Sequence, residues 1–337
     1  MHAPDGFLTA GTAIATGVIS AGAVGVALRQ TRDTLQDKQI PLAGIAAAFI
    51  FAAQMFNFPV AAGTTGHLLG GALAAILLGP AMGVIVITVV VVVQALAFAD
   101  GGLTALGYNV LNMAVITAFG GYAVFVLLRK VLPDNGAGVI AASGIAAGLS
   151  VVLSAMAFSL QWLFGASAPV PFDQVFGAMV GVHLLIGIGE GILTGLAVGA
   201  VLAARPDLVH GARDLDRALL ADRPRLGLRT FALAGLLVAV LFATVVSQFA
   251  VGNPDGLERV AEDQGFIDAA RDHALGASIF ADYATSGIGN ESLSLAIAGV
   301  VGVVITVLVM AGIVLAIRSR QNGPLDLADD TDQPAEA

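Results

Sequence analysis

Cysteine is absent from all 337 residues, which excludes disulfides, thiolate metal sites and cysteine nucleophiles. Any soft-metal chemistry has to run on nitrogen. Charge is scarce as well, at 12% of positions. No GxxxxGK[ST] stretch occurs, so ATP hydrolysis cannot belong to this chain, and no HExxH pair marks a zinc hydrolase. The opening "MHAPDGFLTAGTA" has no Lys or Arg before Arg29 and no small-residue cleavage site, unlike a secretory signal. A retained terminus is the expectation. What fills the chain instead is apolar: 57% of residues are of the AVILMFWYC set and mean hydropathy is +0.90. That composition is far from the balance of a soluble domain and indicates a polytopic membrane protein. The formal charge of -9 reflects acid in one loop and in the tail "DLADDTDQPAEA", which reads as solvated and disordered.

A spanning helix needs about 20 mostly apolar residues. Such runs lie at 7–28, 40–56, 81–98, 107–128, 138–164, 176–203, 229–250 and 294–317, with a shorter piece at 67–79 between Gly66 and Pro80. The fold expected is all-α, a transmembrane helical bundle of about seven spans in one module and two in another. Counting the short piece as a span puts the basic residues on alternate connections: Arg29 to Lys38, Arg129 with Lys130, Arg205 to Arg229, and Arg318 with Arg320. The positive-inside rule then places these in the cytoplasm and the terminus outside, in the plasma membrane. The organisation reads as residues 1–203, a polar cytoplasmic linker 204–228, a second module 229–320 with an outer loop 251–293, and the tail 321–337. Small residues recur every fourth position at Ala13, Gly17, Ala21 and Gly25, and again at Gly187, Gly191, Gly195 and Gly199. Close helix packing within the bundle explains such ladders, and docking of a separate membrane subunit is the alternative.

The chemistry centres on His2. The amine of Met1, the amide nitrogen of His2 and its Nδ1 can close a five- and a six-membered chelate ring on one ion. Three nitrogens in a plane leave a fourth position open, a set that suits Ni(II) or Cu(II) and is acceptable to cobalt. An incidental surface histidine is the competing reading. His67, in "NFPVAAGTTGHLLGG", falls on the same outer side and can supply the fourth nitrogen, or can simply hydrogen-bond its loop. Gln54, Asn57 and Asn109 can orient an imidazole from behind or tie helices together. His183 and Glu190 share one helix face about 10 Å apart, too far to chelate one ion, and serve either transport or interhelical hydrogen bonding. His210 and His273 lie in polar connections, where a solvated face is expected. Asp100 and Asp173 read as turn residues.

Four stretches carry a resemblance: "MHAPDGFL", residues 57–80, "ADGGLTALGYNVLNM" at 99–113 and "HLLIGIGEGILTG" at 183–195. Together they resemble the nickel and cobalt substrate-capture components of energy-coupling factor transporters, over residues 1 to about 203. "PDGLE" at 254–258 is similar to the small accessory component of those systems, here fused. The resemblance implies a metal site on Met1, His2 and His67, with Ni(II) or Co(II) as transported substrate. It also implies a transmembrane coupling subunit and cytoplasmic ATPases as partners, and a supply of cobalt for cobalamin or nickel for enzymes. The usual apolar third residue is replaced by Ala3, which is not a ligand. The accessory loop is expected to assist loading without joining the primary site. Rival functions are a passive channel lined by Asn and Gln, or an intramembrane metallohydrolase using His183 and Glu190.

Overall fold

The computed structural model describes residues 1–36, 38–61, 63–215 and 226–321. Part of the linker expected at 204–228 and nearly all of the tail expected at 321–337 lie outside the described residues. Helices follow the apolar runs: α1 Ala10–Thr34, α2 Gln39–Gln54, α3 Gly71–Leu78, α4 Pro80–Ala97, α5 Leu106–Arg129, α6 Gly136–Gly165 and α7 Phe172–Ala204. The second module adds α8 Leu228–Thr244, a short polar α9 Gly256–Gln264 and α10 Glu291–Gln321. Among the described residues, seven helices are long and apolar enough to cross a membrane. The only paired strands described are β1 Phe58–Pro59 and β2 Thr65–Gly66, an antiparallel clip. The chain is therefore a polytopic helical bundle.

Local chemistry sets the helix ends. Asn135 caps α6, its Oδ1 accepting from the Gly138 N–H at 3.0 Å, and Pro80 opens α4 where a missing N–H costs nothing. Helices α6 and α7 approach through the glycine ladder. A Cβ on Gly187 would lie 2.6 Å from the Gly148 carbonyl oxygen, and one on Gly191 2.7 Å from that of Gly144. Dispersion between backbones holds this pair where lipid offers no hydrophobic drive. The ladder on α1 divides: Ala13 and Gly17 lie against Gly107 of α5, whereas Ala21 and Gly25 are exposed. Helices α8 and α10 pack on α2, with Gly235 over Ile45 and Gly302 over Phe51.

The short piece at 67–79 differs from a span. Its helix, α3, has 8 residues, a rise of about 12 Å against a hydrocarbon core of about 30 Å. Residues 65–70 before it are not helical and dip into the bundle. Backbone at that depth needs partners, and side chains of α2 and α7 provide them. Glu190 accepts from the Leu69 N–H at 2.6 Å and the Gly70 N–H at 2.9 Å. Gln54 Nε2 donates to the Leu69 carbonyl at 3.0 Å, and Gln39 Nε2 to that of Leu78 at 3.2 Å. Gly70 sits at φ +78°, and a Cβ there would meet Ile50 at 2.7 Å.

Candidate metal site

The first eight residues fold back among α4, α5, α6 and the accessory loop. Met1, Ala3, Phe7 and Leu8 are all buried. Asp5 accepts from the N–H groups of Leu103, Thr104 and Ala105 and from the Thr104 hydroxyl, which fastens the segment to the start of α5. Asn109 grips the Ala3 peptide from both sides, its Oδ1 accepting from the N–H and its Nδ2 donating to the C=O, each at 2.9 Å. Tyr108 donates to the Pro4 carbonyl at 3.0 Å. Phe266 of the accessory module wedges between Phe7 and Trp162 at ring distances of 5.2 and 4.4 Å, and the Arg271 N–H donates to the Asp5 carbonyl.

This fastening delivers the amine of Met1 to 2.5 Å from His67 Nε2. The His67 Nδ1 lies 3.0 Å from the Leu68 carbonyl, which can only accept, so Nδ1 carries the proton and Nε2 presents its lone pair. His2 lies over His67, rings 5.1 Å apart and 24° from parallel. Its Nε2 lies 2.9 Å from Gln94 Oε1 and its Nδ1 3.3 Å from Asp100 Oδ1. Burial outweighs the attraction of Asp100 and holds the His2 ring at about 4, so it is neutral and able to ligate at pH 7. Asp100 is fixed in turn by the Tyr283 hydroxyl at 2.7 Å. These groups face a cleft of about 590 Å³ that Gln54 and Asn57 also line.

The accessory loop does more than was expected of it. Asp255 Oδ2 lies 2.5 Å from the Met1 amine and 3.8 Å from His67 Nε2. The same carboxylate caps α9 through the Leu257 and Glu258 N–H groups. Thr65 holds the turn in place, its N–H donating to the Pro254 carbonyl and its hydroxyl to that of Asn253, both at 2.9 Å. Burial pushes the Asp255 carboxyl up, but the terminal ammonium beside it outweighs this and holds it well below the usual range.

The structure thus brings Met1, His2 and His67 together, with Asn109 and Gln54 behind them. Asn109 positions the Ala3 peptide and Gln54 the loop after His67, rather than either touching a ring. Glu190 is spent on the Leu69 and Gly70 amides, and His183 lines a small cavity that Met1, His67 and Asp255 also border. His210 is half-buried rather than fully solvated; its ring lies against Gly79 and Tyr122. Sequence reasoning passed over Gln94, Asp100, Asp255 and Tyr283. Gln94 had a signal, being the one polar residue in "VVVVVQALAF"; the others read as ordinary turn or loop residues. Among the described residues no group of three or more His, Asp or Glu side chains is placed to hold a metal ion.

A multi-pass helical bundle with a buried cluster of nitrogen donors at one end belongs among membrane proteins that handle metal ions, and the relatives of this chain are of that class. Residues 2–208 match the model of the cobalt uptake substrate-specific transmembrane region (CbiM), and residues 229–319 match the PDGLE domain. The chain belongs to the CbiM family, in the form fused to a PDGLE domain, and is a nickel or cobalt transport component. A chain of Archaeoglobus fulgidus named as a fused nickel transport protein, NikMN, is 35% identical over 90% of this chain and 95% of its own length. The cobalt transport protein CbiM of Geobacter sulfurreducens is 32% identical over 75% of this chain and 72% of its own. A crystal structure titled as a transition metal transporter superposes with a TM-score of 0.54 at 32% identity, covering 60% of this chain and 92% of that one.

Proposed function

We propose that this chain captures Ni(II) or Co(II) at the outer face of the membrane and hands it over for ATP-driven uptake. The ion is held by the Met1 amine, the His2 amide and Nδ1, and His67 Nε2. The observation that carries this reading is the approach of the Met1 amine to a bare His67 Nε2 at 2.5 Å, inside a buried segment that Asn109 and Asp5 fix by its backbone. Binding removes the ammonium from Asp255 and the proton from the His2 amide, so ion and protons exchange. Metal transport by relatives of both names supports the substrate class without choosing between the two ions. With no nucleotide motif here, the work of release falls to partner subunits: a transmembrane coupling subunit and cytoplasmic ATPases, as in energy-coupling factor systems. Residues 1–203 hold the site, 229–320 form the accessory module, and the terminus lies outside. A plugged, buried terminus favours capture over a passive channel. A hydrolase built on Glu190 finds no support, since both oxygens of that carboxylate are taken by backbone amides.

The test is titration of purified protein with both ions, native beside a form with Gly-Ser placed before Met1. The extension keeps every side chain but turns the amine into an amide and leaves Asp255 without its cation, so binding should fall severely, as with His2→Ala and His67→Ala. His273→Ala should bind as the native chain does. Full affinity in the extended form would refute the terminal chelate.

A further inference from the structure

The ion must leave the terminal chelate in a direction away from the cleft, and the residues on that side form a pattern the capture site does not use. Helix α7 carries a buried polar row, His183, Glu190 and Thr194, none more than 1% exposed. His183 and Glu190 stand about 16 and 27 Å along α7 from Phe172, and Thr194 about 33 Å, so the row descends from the level of His67 toward the opposite end of the bundle.

His183 is the upper member and the one in an unusual state. Its Nδ1 lies 2.7 Å from the Met179 carbonyl, one turn back on the same helix. A carbonyl only accepts, so Nδ1 carries the proton and Nε2 is a bare lone pair. That Nε2 is buried and has no hydrogen-bond partner. An unpaired acceptor in a helical bundle is costly, yet nothing in the fold spends it. A carbonyl fixing Nδ1–H while Nε2 stands free is also how ligating imidazoles are usually set. The ring lines a small cavity of about 10 Å³, close to the room one water or one ion needs, whose walls include Met1, His67 and Asp255. The Gly256 backbone closes it: a Cβ there would lie 3.0 Å from His183 Cε1. Capture and transit donors therefore border one ion-sized space.

We propose that His183 is a transit ligand for the transported ion. On leaving the Met1–His2 chelate, the ion is taken up by His183 Nε2 in this cavity, which Met1, His67 and Asp255 also border. Glu190 makes the transfer mechanical. It grips the Leu69 and Gly70 amides, so a shift of α7 moves the loop carrying His67 away from the terminal chelate and brings His183 with it. No electron moves: the ion passes to the His183 imidazole, and the Met1 amine and the His2 amide take back the protons that capture displaced.

This inference rests on the capture site proposed above, and its test separates the two. The chain has no cysteine of its own, so His183→Cys places a single thiol in it. Purified full-length protein is loaded with Co(II), in the native background and with His2→Ala to remove the chelate. If position 183 ligates the ion, a thiolate-to-cobalt charge-transfer band appears in the near ultraviolet, strongest in the His2→Ala background. A second measurement does not depend on sulfur: His183→Gln keeps a donor for the Met179 carbonyl but no imidazole. It should weaken the residual Co(II) binding of His2→Ala by about tenfold or more, and depress Co(II) uptake by cells that carry the partner subunits by a similar factor. Absence of the band in both backgrounds while Co(II) is bound, or residual binding and uptake unmoved by His183→Gln, would overturn the transit role and leave the capture site standing. A native chain that binds neither ion would overturn both.

Discussion

Glu190→Gln tests how the His67 loop is held. Both carboxylate oxygens accept backbone N–H groups, from Leu69 at 2.6 Å and Gly70 at 2.9 Å, and Glu190 is fully buried. Glutamine fills the same space but offers one acceptor, and its NH₂ faces the second N–H. One buried amide is then unpaired, a cost of about 1–3 kcal/mol, and the remaining bond loses its charge assistance, worth roughly 1 kcal/mol more. The sum, about 2–4 kcal/mol, falls on the start of α3, three residues after His67. Outer partners of metal ligands are typically worth about 10–100-fold in affinity, and this partner sets the loop itself. The assay is a thermal melt in detergent beside Ni(II) and Co(II) titrations. Both the melting temperature and the affinity should fall, and Glu190→Ala, which strands both amides, should fall further. If Glu190→Gln melts and binds as native does, the carboxylate is not what positions the loop.

The pH dependence follows from which protons leave. His2 is already neutral down to about 4, so acid weakens binding through the amine and the amide instead; two protons released per ion make log K rise by about two per pH unit in the acid range, measurable by titration in buffers of different ionisation heat. Gly66→Ala puts a Cβ 2.6 Å from Ile186 Cγ2; it should destabilise by about 1–3 kcal/mol and regain much of that when combined with Ile186→Ala, read by melting of the single and double variants. Asn109→Leu removes both bonds to the Ala3 peptide and should lower ion affinity by about 10–100-fold with little change in fold, checked by titration and circular dichroism. A single cysteine at Ser167 should react with an impermeant reagent in intact cells, and one at Gln36 should not; the opposite pattern would invert the topology.

The bundle was legible because membrane spans announce themselves by length. The run at 138–164 became Gly136–Gly165, and that at 176–203 became Phe172–Ala204, each ended by turn or capping residues. The short piece was not legible as a half-span. Its apolar residues read alike in helix and loop, and what holds the turn at Leu69 and Gly70 is a glutamate more than a hundred residues later. The donors Met1, His2 and His67 announced themselves because an imidazole at the second residue is chemically unusual and a Gly-flanked histidine in an apolar run is exposed to notice. Asp100 and Asp255 carried no such signal. A local pattern cannot tell an aspartate that ends a turn from one that also meets an amine 254 residues away.

That separation has a consequence for how the protein is made. A ribosome delivers the Met1 amine first and Asp255 only when about three quarters of the chain exists. Throughout that interval the amine and His67 are present without the carboxylate and without the Phe266 wedge that covers the terminal segment. The Asp255 carboxylate and the Phe266 wedge therefore reach the terminal segment only after the accessory module has been made. A nascent chain stalled before that module has emerged carries nitrogen donors whose surroundings are unfinished, and the fusion of two modules in one chain ensures that every donor is followed by the acid and the aromatic wedge that enclose it.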